Sequence, residues 1–261
     1  MTSKINWLVN HTSQGMLILQ PWLTQHGISH SLAQKYVASG WLKKWCAGVY
    51  YRPFINENLK PEWMAAVHAL PNQLDIPVHL AGLSSLNQQG LSHYLQLNNN
   101  TVWVGTKKKQ SLPKWFREFA DQKWFFSGNH KLTELIEKDF TSVTVKGVTL
   151  TASCPELAAY EVVDAINKHI SFEHVAELFQ GLVNLSPRKV QSLLNRSHSV
   201  QTNRVFLYLA QYYNHQWYQR LDESQIILGS GKRQVVPNGL YDKKYQITVP
   251  ITFTLKKENH G

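Results

Sequence analysis

The sequence has few cysteines, few acidic residues and no long apolar run. Its 261 residues include only Cys46 and Cys154, which are far apart and form no Cys-x-x-Cys pair. This excludes a disulfide framework and a paired-cysteine zinc site, and it indicates a reducing cytoplasm as the location. No His-Glu-x-x-His spacing occurs either. We therefore predict neither a metal nor a cofactor.

The segment from Ile5 to Gln34 contains no Asp, Glu, Lys or Arg. A membrane-spanning helix needs about 20 mostly apolar residues in succession. Asn, Gln and His interrupt every apolar run in this segment. The continuous apolar core of a signal peptide is missing as well. The sequence therefore predicts no membrane partner.

Acidic residues are outnumbered by basic ones. Lysine and arginine total 27 against 17 aspartates and glutamates, so the formal net charge is +10. Hydrophobic residues make up 43% of the chain, which is enough for a well-packed core. A folded protein with this charge favours an anionic partner, and nucleic acid is the first candidate.

The first part of the chain predicts a small unit of helices and strands. Helical spacing in KINWLVNH is followed by the strand-like run GMLILQ and by a short helix in QPWLTQHG. A second helix begins at Ser29, and a hairpin turning at Ala47-Gly48 closes the unit. The Pro- and Asn-rich stretch after it places a boundary near Asn58, giving domains 1–58 and 59–261.

The helix after Ser29 has the composition of a recognition helix. Its apolar residues share one face, namely Leu32, Ala33, Tyr36 and Val37. The other face has short polar groups, namely His30, Ser31, Gln34 and Lys35. Such groups can form hydrogen bonds with base edges in the major groove, and glutamine suits adenine. The pair of helices therefore predicts a helix-turn-helix.

The hairpin after this helix predicts a wing. Lys43, Lys44 and Arg52 could neutralise phosphates on either side of the groove. We predict that DNA binds to this winged helix-turn-helix. The alternative is a helical hairpin with a β-ribbon that contacts another part of the same protein.

The rest of the chain predicts a larger α+β domain. Strand-like segments occur at TVWVG, KWFFSG and SVTVKGVTLTAS, and the last of these turns at Lys146-Gly147. Four helical segments follow between Cys154 and His215. Strand-like pieces, SQIILGSGKRQVV and KYQITVPITF, close the chain. Strands, then helices, then strands are typical of a mixed α/β domain without a regular βαβ repeat.

No motif in the chain makes a positive case for catalysis. GSGKR at residues 229–233 lacks the P-loop spacing, because Ile226 stands where a glycine is needed. The carboxylates from Glu156 to Glu177, including Glu161 and Asp164, are spaced as on solvated helix faces. We predict that the protein is not an enzyme.

Several stretches resemble the AbiEi-type antitoxin family. The N-terminal match is PWLTQHGISHSLAQKYVASGWLKKWCAGVYYRP. Further matches are LAGLSSLNQQGLSHYLQL, SCPELAAYEVVDAI, LFQGLVNLSPRKVQSLL, RVFLYLAQYYNHQWYQRLD and ILGSGKRQVVPNGLYDKKYQITVP. Together they cover most of the chain from Pro21 to Pro250.

The resemblance implies the antitoxin of a bacterial toxin–antitoxin or abortive-infection module. It implies an N-terminal winged helix that binds inverted repeats in its own promoter and represses it. It also implies a C-terminal domain that carries antitoxicity against a nucleotidyltransferase-like toxin. Whether antitoxin and toxin form a direct complex stays open.

The C-terminal part carries an excess of basic residues that could serve antitoxicity. We predict that glycine-bearing turns gather a group of them on one surface, namely Arg204, Lys232, Arg233, Lys243 and Lys244. This surface could contact the toxin's acidic active-site region or the RNA or nucleotide on which it acts. A solvated face is the alternative for these charges.

Two other functions stay open. One is a winged-helix protein fused to a metal-dependent nuclease-like domain, which would need clustered acids with a lysine on strands. The other is a repressor that responds to a small ligand, which would need an enclosed pocket in the C-terminal domain.

Overall fold

The computed structural model describes residues 4–56, 58–92, 101–106 and 111–254. Its helices are α1 (Lys4–His11), α2 (Gln20–Gln25), α3 (His30–Ala38), α4 (Trp63–Leu74), α5 (Gly82–Gln88), α6 (Lys114–Arg117), α7 (Pro155–Asp164), α8 (Phe172–Gly181), α9 (Pro187–Asn195) and α10 (Val200–Tyr212). Its strands are β1 (Leu17–Leu19), β2 (Lys43–Cys46), β3 (Val49–Tyr51), β4 (Val78–Leu80), β5 (Thr101–Thr106), β6 (Lys123–Ser127), β7 (Phe140–Val145), β8 (Val148–Ser153), β9 (Leu240–Asp242) and β10 (Ile247–Val249). The predicted α+β class is confirmed.

The chain divides into two compact units. Unit 1 holds the described residues within 1–79, 110–124 and 144–150. Unit 2 holds those within 80–109, 125–143 and 151–261. The boundary near Asn58 stays a prediction.

Unit 1 contains the predicted winged helix-turn-helix. Helices α1, α2 and α3 are combined with an antiparallel sheet of order β1-β3-β2. Pro21 stands in the first turn of α2, where its missing N–H costs nothing. Gly27 has a φ of 76° and makes the tight turn into α3, a backbone conformation that favours glycine. The core between helices and sheet holds Leu8, Ile18, Leu23, Ile28, Ala33, Leu42 and Tyr50.

Helix α4 closes the outer edge of this small sheet. The side-chain amide of Gln73 donates to the Leu17 carbonyl at 2.7 Å. Its oxygen accepts the Leu19 amide at 2.8 Å. Because β1 is an edge strand, these two bonds satisfy backbone groups that a neighbouring strand would otherwise occupy.

The segment around α6 also belongs to unit 1. Trp45 on β2 stacks on Phe119, with 4.7 Å between ring centroids and 22° between the ring planes. Phe116 stacks on Trp124 at 4.5 Å. A segment that is far away in sequence thus covers one face of the wing.

The five strands β4–β8 form a sheet of order β6-β5-β4-β8-β7. The pairing of β4 with β8 is parallel, and Leu80 lies opposite Ala152. The predicted turn at Lys146-Gly147 joins β7 to β8, with φ values of 47° and 83°. Two successive residues with positive φ match the twist of a tight hairpin, so this prediction is confirmed.

Unit 2 packs its helices around α7 and α10, most of whose residues are buried. Glu156 and Glu161 on α7 are buried as well, so the prediction that they lie on solvated faces is wrong. Glu156 accepts the Ser186 amide at 2.7 Å. Glu161 accepts the Gly82 amide and the Ser153 hydroxyl, at 2.7 and 2.8 Å. Both carboxylates satisfy backbone groups at the starts of other helices.

The segment SQIILGSGKRQVV does not form the predicted strand. The guanidinium of buried Arg204 donates hydrogen bonds of 2.6–3.3 Å to four carbonyl groups of this segment and of the turn beside it. These are the carbonyls of Leu228, Gly229, Gly231 and Gln246. The carbonyls that a sheet would use are bound to a side chain instead. In KYQITVPITF only Ile247–Val249 is a strand, and it pairs with β9.

Candidate nucleic-acid interface

Helix α3 is fixed at its start and along its inner face. The Ser29 hydroxyl accepts the Leu32 amide at 3.3 Å and caps the helix, as Ser does at helix N-termini. Ala33 is fully buried, and Tyr36 and Val37 pack against the same core. The predicted amphipathic helix is confirmed, and its orientation leaves the polar face on the outside.

The outer face of α3 is exposed and lightly charged. His30, Ser31 and Lys35 are exposed, and Ser31 and Lys35 are one turn apart. In the described part of the chain, Lys35 has no ion pair or hydrogen bond from its ammonium group. This face can therefore offer an imidazole, a hydroxyl and an ammonium group to a ligand.

Gln34 is half-buried and bonded to the wing. Its Nε2 donates to the Tyr50 hydroxyl at 3.0 Å. Tyr50 lies in the core, so this bond joins α3 to β3. A base contact from the Gln34 amide group would require it to turn away from Tyr50.

The two lysines of the wing differ in their exposure. Lys44 is exposed, whereas Lys43 is half-buried. Lys44 lies opposite Tyr50 in the β2–β3 register, and a register shift follows between Lys44 and Cys46. Residues directly opposite each other project to the same face of a sheet. Lys44 therefore lies on the hairpin face whose Tyr50 contacts α3.

Arg52 does not join this group. It is half-buried, and its Nη1 donates to the Val9 carbonyl at 2.9 Å and also to the Thr12 carbonyl. These carbonyls belong to the end of α1 and the residue after it, where a helix leaves acceptors unpaired. The residue predicted to contact phosphate thus holds α1 against the sheet, and we leave it out of the interface.

The predicted basic surface of unit 2 is only partly assembled. Arg204 is buried, so its prediction as a surface residue is wrong. Lys244 is exposed but bound to Glu223 at 2.8 Å and to the Tyr218 hydroxyl at 2.6 Å. Burial would lower the pKa of Lys244, but these two partners outweigh it and raise the pKa. Lys244 therefore belongs to a local charge network.

Within the described residues, no acid is paired with the remaining basic residues of that surface. Lys232 lies over the exposed Tyr241 ring, with its ammonium 4.9 Å from the ring centroid. Arg233 is half-buried, and its Nη1 donates to the Lys232 carbonyl at 3.1 Å. Lys243 is exposed. The structure therefore leaves Lys232, Arg233 and Lys243 as candidates for a partner.

Two features of unit 1 were missed from the sequence. One is the contact of Gln34 with Tyr50, and the other is an aromatic cluster on α1 and α2. In this cluster Trp7 stacks on His11 at 4.6 Å and on His26 at 4.5 Å. The four-residue spacing of Trp7 and His11, and of Trp22 and His26, is the signal that could have revealed it.

Clustered metal ligands and long apolar helices are absent from the described residues. Within the described ranges, no three His, Cys, Asp or Glu side chains are grouped so that they could hold a metal ion. Over the same ranges, none of the helices has the length and apolar character needed to cross a membrane.

Comparison with known structures shows a similar fold. The crystal structure of the RV2827C protein from Mycobacterium tuberculosis matches with a TM-score of 0.59 and 13% sequence identity. The match covers 93% of this chain and 88% of that one. No curated protein matches the chain.

Two family profiles match the sequence itself. Residues 1–97 match the profile described as "Transcriptional regulator, AbiEi antitoxin N-terminal domain". Residues 99–250 match the profile described as "Transcriptional regulator, AbiEi antitoxin, Type IV TA system". Together they span nearly the whole chain, including the winged helix and the helices of unit 2. The chain therefore belongs to the AbiEi antitoxin family, the transcriptional regulators of type IV toxin–antitoxin systems.

Proposed function

We propose that the protein represses its own operon by binding inverted repeats in the promoter through α3 and the wing. The observation that carries the proposal is the exposed, lightly charged face of α3 beside Lys44. His30, Ser31 and Lys35 are exposed on α3, and Lys44 is exposed on the hairpin. In a winged helix-turn-helix, the recognition helix contacts base edges while flanking cations contact phosphates.

A mobility-shift titration of the full chain on DNA from upstream of its operon tests this proposal. Lys35→Ala and Lys44→Ala should weaken binding and each lower the slope of log K against log salt by about 0.9 for each bound copy of the chain. Lys60→Ala removes an exposed lysine of unit 1 outside the interface, and its slope should equal that of the parent protein. Equal slopes for all four proteins would overturn the proposal.

We propose further that unit 2 counteracts a nucleotidyltransferase-like toxin by binding and not by catalysis. The exposed charges of Lys232 and Lys243, with the half-buried Arg233 beside Lys232, support a contact with an acidic surface or with a phosphate-bearing substrate. The AbiEi profile that covers residues 99–250 supports an antitoxin role for this part of the chain.

Charge reversal tests the antitoxin proposal. Lys232→Glu with Arg233→Glu should abolish protection of cells that express the cognate toxin, with promoter binding and melting temperature unchanged. Lys138→Glu with Lys189→Glu is the matched control, because both lysines are exposed in unit 2 outside this surface. Full protection by the folded first variant would overturn the proposal. Metal-dependent DNA cleavage by the parent protein would instead favour the nuclease-like alternative.

A further inference from the structure

Unit 2 has a cleft that neither the promoter contact nor the antitoxin surface uses. It runs along the exposed side of α9, and its volume is about 660 Å³. Its lining residues are Pro187, Arg188, Gln191, Ser192, Asn195, Arg196 and Arg220. The lining thus contains three arginines and no carboxylate. Binding sites for small molecules have volumes of roughly 300–1,000 Å³.

Side-chain bonds hold the two walls of the cleft together. The Gln191 oxygen accepts the Asp222 amide at 2.7 Å, and its Nε2 donates to the Asp222 carbonyl at 3.1 Å. Asn195 donates to the Gln225 side chain at 3.3 Å. These bonds tie α9 to the segment that follows Arg220. The cleft is therefore formed before any ligand arrives, which reduces the cost of binding.

Among the described residues, only one of the three arginines is paired with an acid. Arg196 binds Asp139 with two nitrogens, at 2.8 and 2.9 Å. In the described part of the chain, Arg188 and Arg220 have no ion pair or hydrogen bond from their guanidinium groups. The Ser192 hydroxyl likewise has none there. Two forked donors and one hydroxyl are thus available to a ligand.

The acids next to Arg220 are engaged elsewhere. The Asp222 carboxylate accepts the Ser224 hydroxyl at 2.6 Å and the Gln225 amide at 2.7 Å. Glu223 binds Lys244 at 2.8 Å. Neither acid therefore pairs with Arg220, whose guanidinium stays available to a ligand.

We propose that this cleft binds the phosphate group of a nucleotide or of a nucleic-acid backbone. A guanidinium group can donate two parallel hydrogen bonds to two oxygens of one phosphate, and a hydroxyl can add a further donor. The lining has no aromatic ring on which a base could stack. The site therefore recognises the phosphate and not the base, and it discriminates little between base sequences.

Binding measurements on the full chain test this proposal with ATP and with a short single-stranded RNA of mixed sequence. Arg188→Gln with Arg220→Gln should lower the affinity for the probe by about tenfold or more, since each lost charged hydrogen bond is a large part of a small site's affinity. Lys138→Gln with Lys189→Gln is the matched control for net charge and should weaken it by less than about twofold.

The two probes distinguish the source of the phosphate. Binding of ATP that the arginine variant loses identifies a free nucleotide as the ligand. Binding of RNA alone, lost in the same variant, identifies a nucleic-acid backbone. No binding of either probe by the parent protein overturns the proposal, and so does an equal loss in the arginine variant and the lysine control. Arg188→Lys with Arg220→Lys should bind with intermediate affinity, because lysine keeps the charge but not the forked geometry.

Discussion

At the scale of single residues, Gln34 has two candidate roles: it could contact a base, or it could hold the hairpin through its bond to Tyr50. Tyr50→Phe keeps the buried ring but frees the Gln34 amide, so binding to the specific promoter site should be maintained. Gln34→Ala should weaken specific binding by about 1–3 kcal/mol if the amide contacts a base. Titrations on specific and random DNA measure both effects. Equal losses for both variants would mean that Gln34 only holds the hairpin.

Arg204 should matter for folding and not for partner binding. Arg204→Met leaves the carbonyls of Leu228, Gly229 and Gly231 without a donor, and we expect the free energy of unfolding to fall by roughly 3 kcal/mol. The Gln246 carbonyl still accepts the Arg233 amide at 2.9 Å. Arg233→Met should change the free energy of unfolding by less than about 0.5 kcal/mol, because in the described part of the chain its Nη1 bonds only to the neighbouring Lys232 carbonyl. Urea unfolding of both variants provides the comparison. A stable Arg204→Met protein would contradict this view of the segment.

Asp164 should make stability depend on pH in the acid range. Burial raises the pKa of Asp164, but the Lys131 hydrogen bond and the charges of Lys131 and Lys168 outweigh it and lower the pKa below 3.8. The stability that comes from this group is then complete above about pH 4 and is lost as the pH falls through the folded pKa. Asp164→Asn should flatten the acid limb of a plot of unfolding free energy against pH.

Glu173→Gln is the control for that measurement. Glu173 is exposed, and it has no ion pair in the described part of the chain. Its variant should follow the parent curve. An acid limb of unchanged steepness in Asp164→Asn would show that other carboxylates account for it.

At the scale of elements, the start of α3 offers a way to separate folding from DNA binding. Ser29→Ala removes the cap and should cost about 1 kcal/mol of stability. Ser29→Asp restores a capping side chain, and its negative charge interacts favourably with the helix dipole, so stability should be close to that of the parent. Its carboxylate would face phosphates, and promoter affinity should fall. Thermal melts and mobility shifts measure the two effects, and full affinity in Ser29→Asp would argue against α3 as the recognition helix.

The elements also show what the sequence could and could not predict. Local signals, such as the cap at Ser29 and the turn at Lys146-Gly147, gave the right helices and the right hairpin because neighbouring residues decide them. The burial of Glu156 and Glu161 could not be predicted, since their partners are 30 and up to 79 residues away. The segment SQIILGSGKRQVV could not be distinguished from a strand for the same reason. Its apolar residues favour a strand, but the guanidinium of Arg204, which is distant in sequence, binds its backbone carbonyls.

The candidate interface follows the same pattern. The exposure of His30, Ser31, Lys35 and Lys44 could be predicted from helical and strand spacing. Their contact with DNA stays a prediction. Arg52 could not be distinguished from a phosphate contact, because its partners at the end of α1 come from tertiary packing.

At the scale of the whole molecule, unit 1 has contacts that the predicted domain 1–58 does not include. A fragment ending at residue 58 loses Gln73 from the edge of β1 and Phe119 from the face of Trp45. We expect it to melt at a lower temperature than a fragment ending at residue 76, which restores α4. Both should bind promoter DNA, and neither should protect cells from the toxin. Protection by either fragment would contradict the division of labour between the parts of the chain.

The Gln73 side chain has a consequence for how copies of this protein meet one another. Its amide offers β1 one donor and one acceptor, as a single peptide group of an added strand would. An open edge of this kind is where strands of separate molecules join and start aggregates. Gln73 therefore occupies the backbone groups of Leu17 and Leu19 through which a strand of another molecule would join β1. Gln73→Ala should expose the edge and make the protein aggregate on mild heating, at a temperature where the parent protein still stays dispersed.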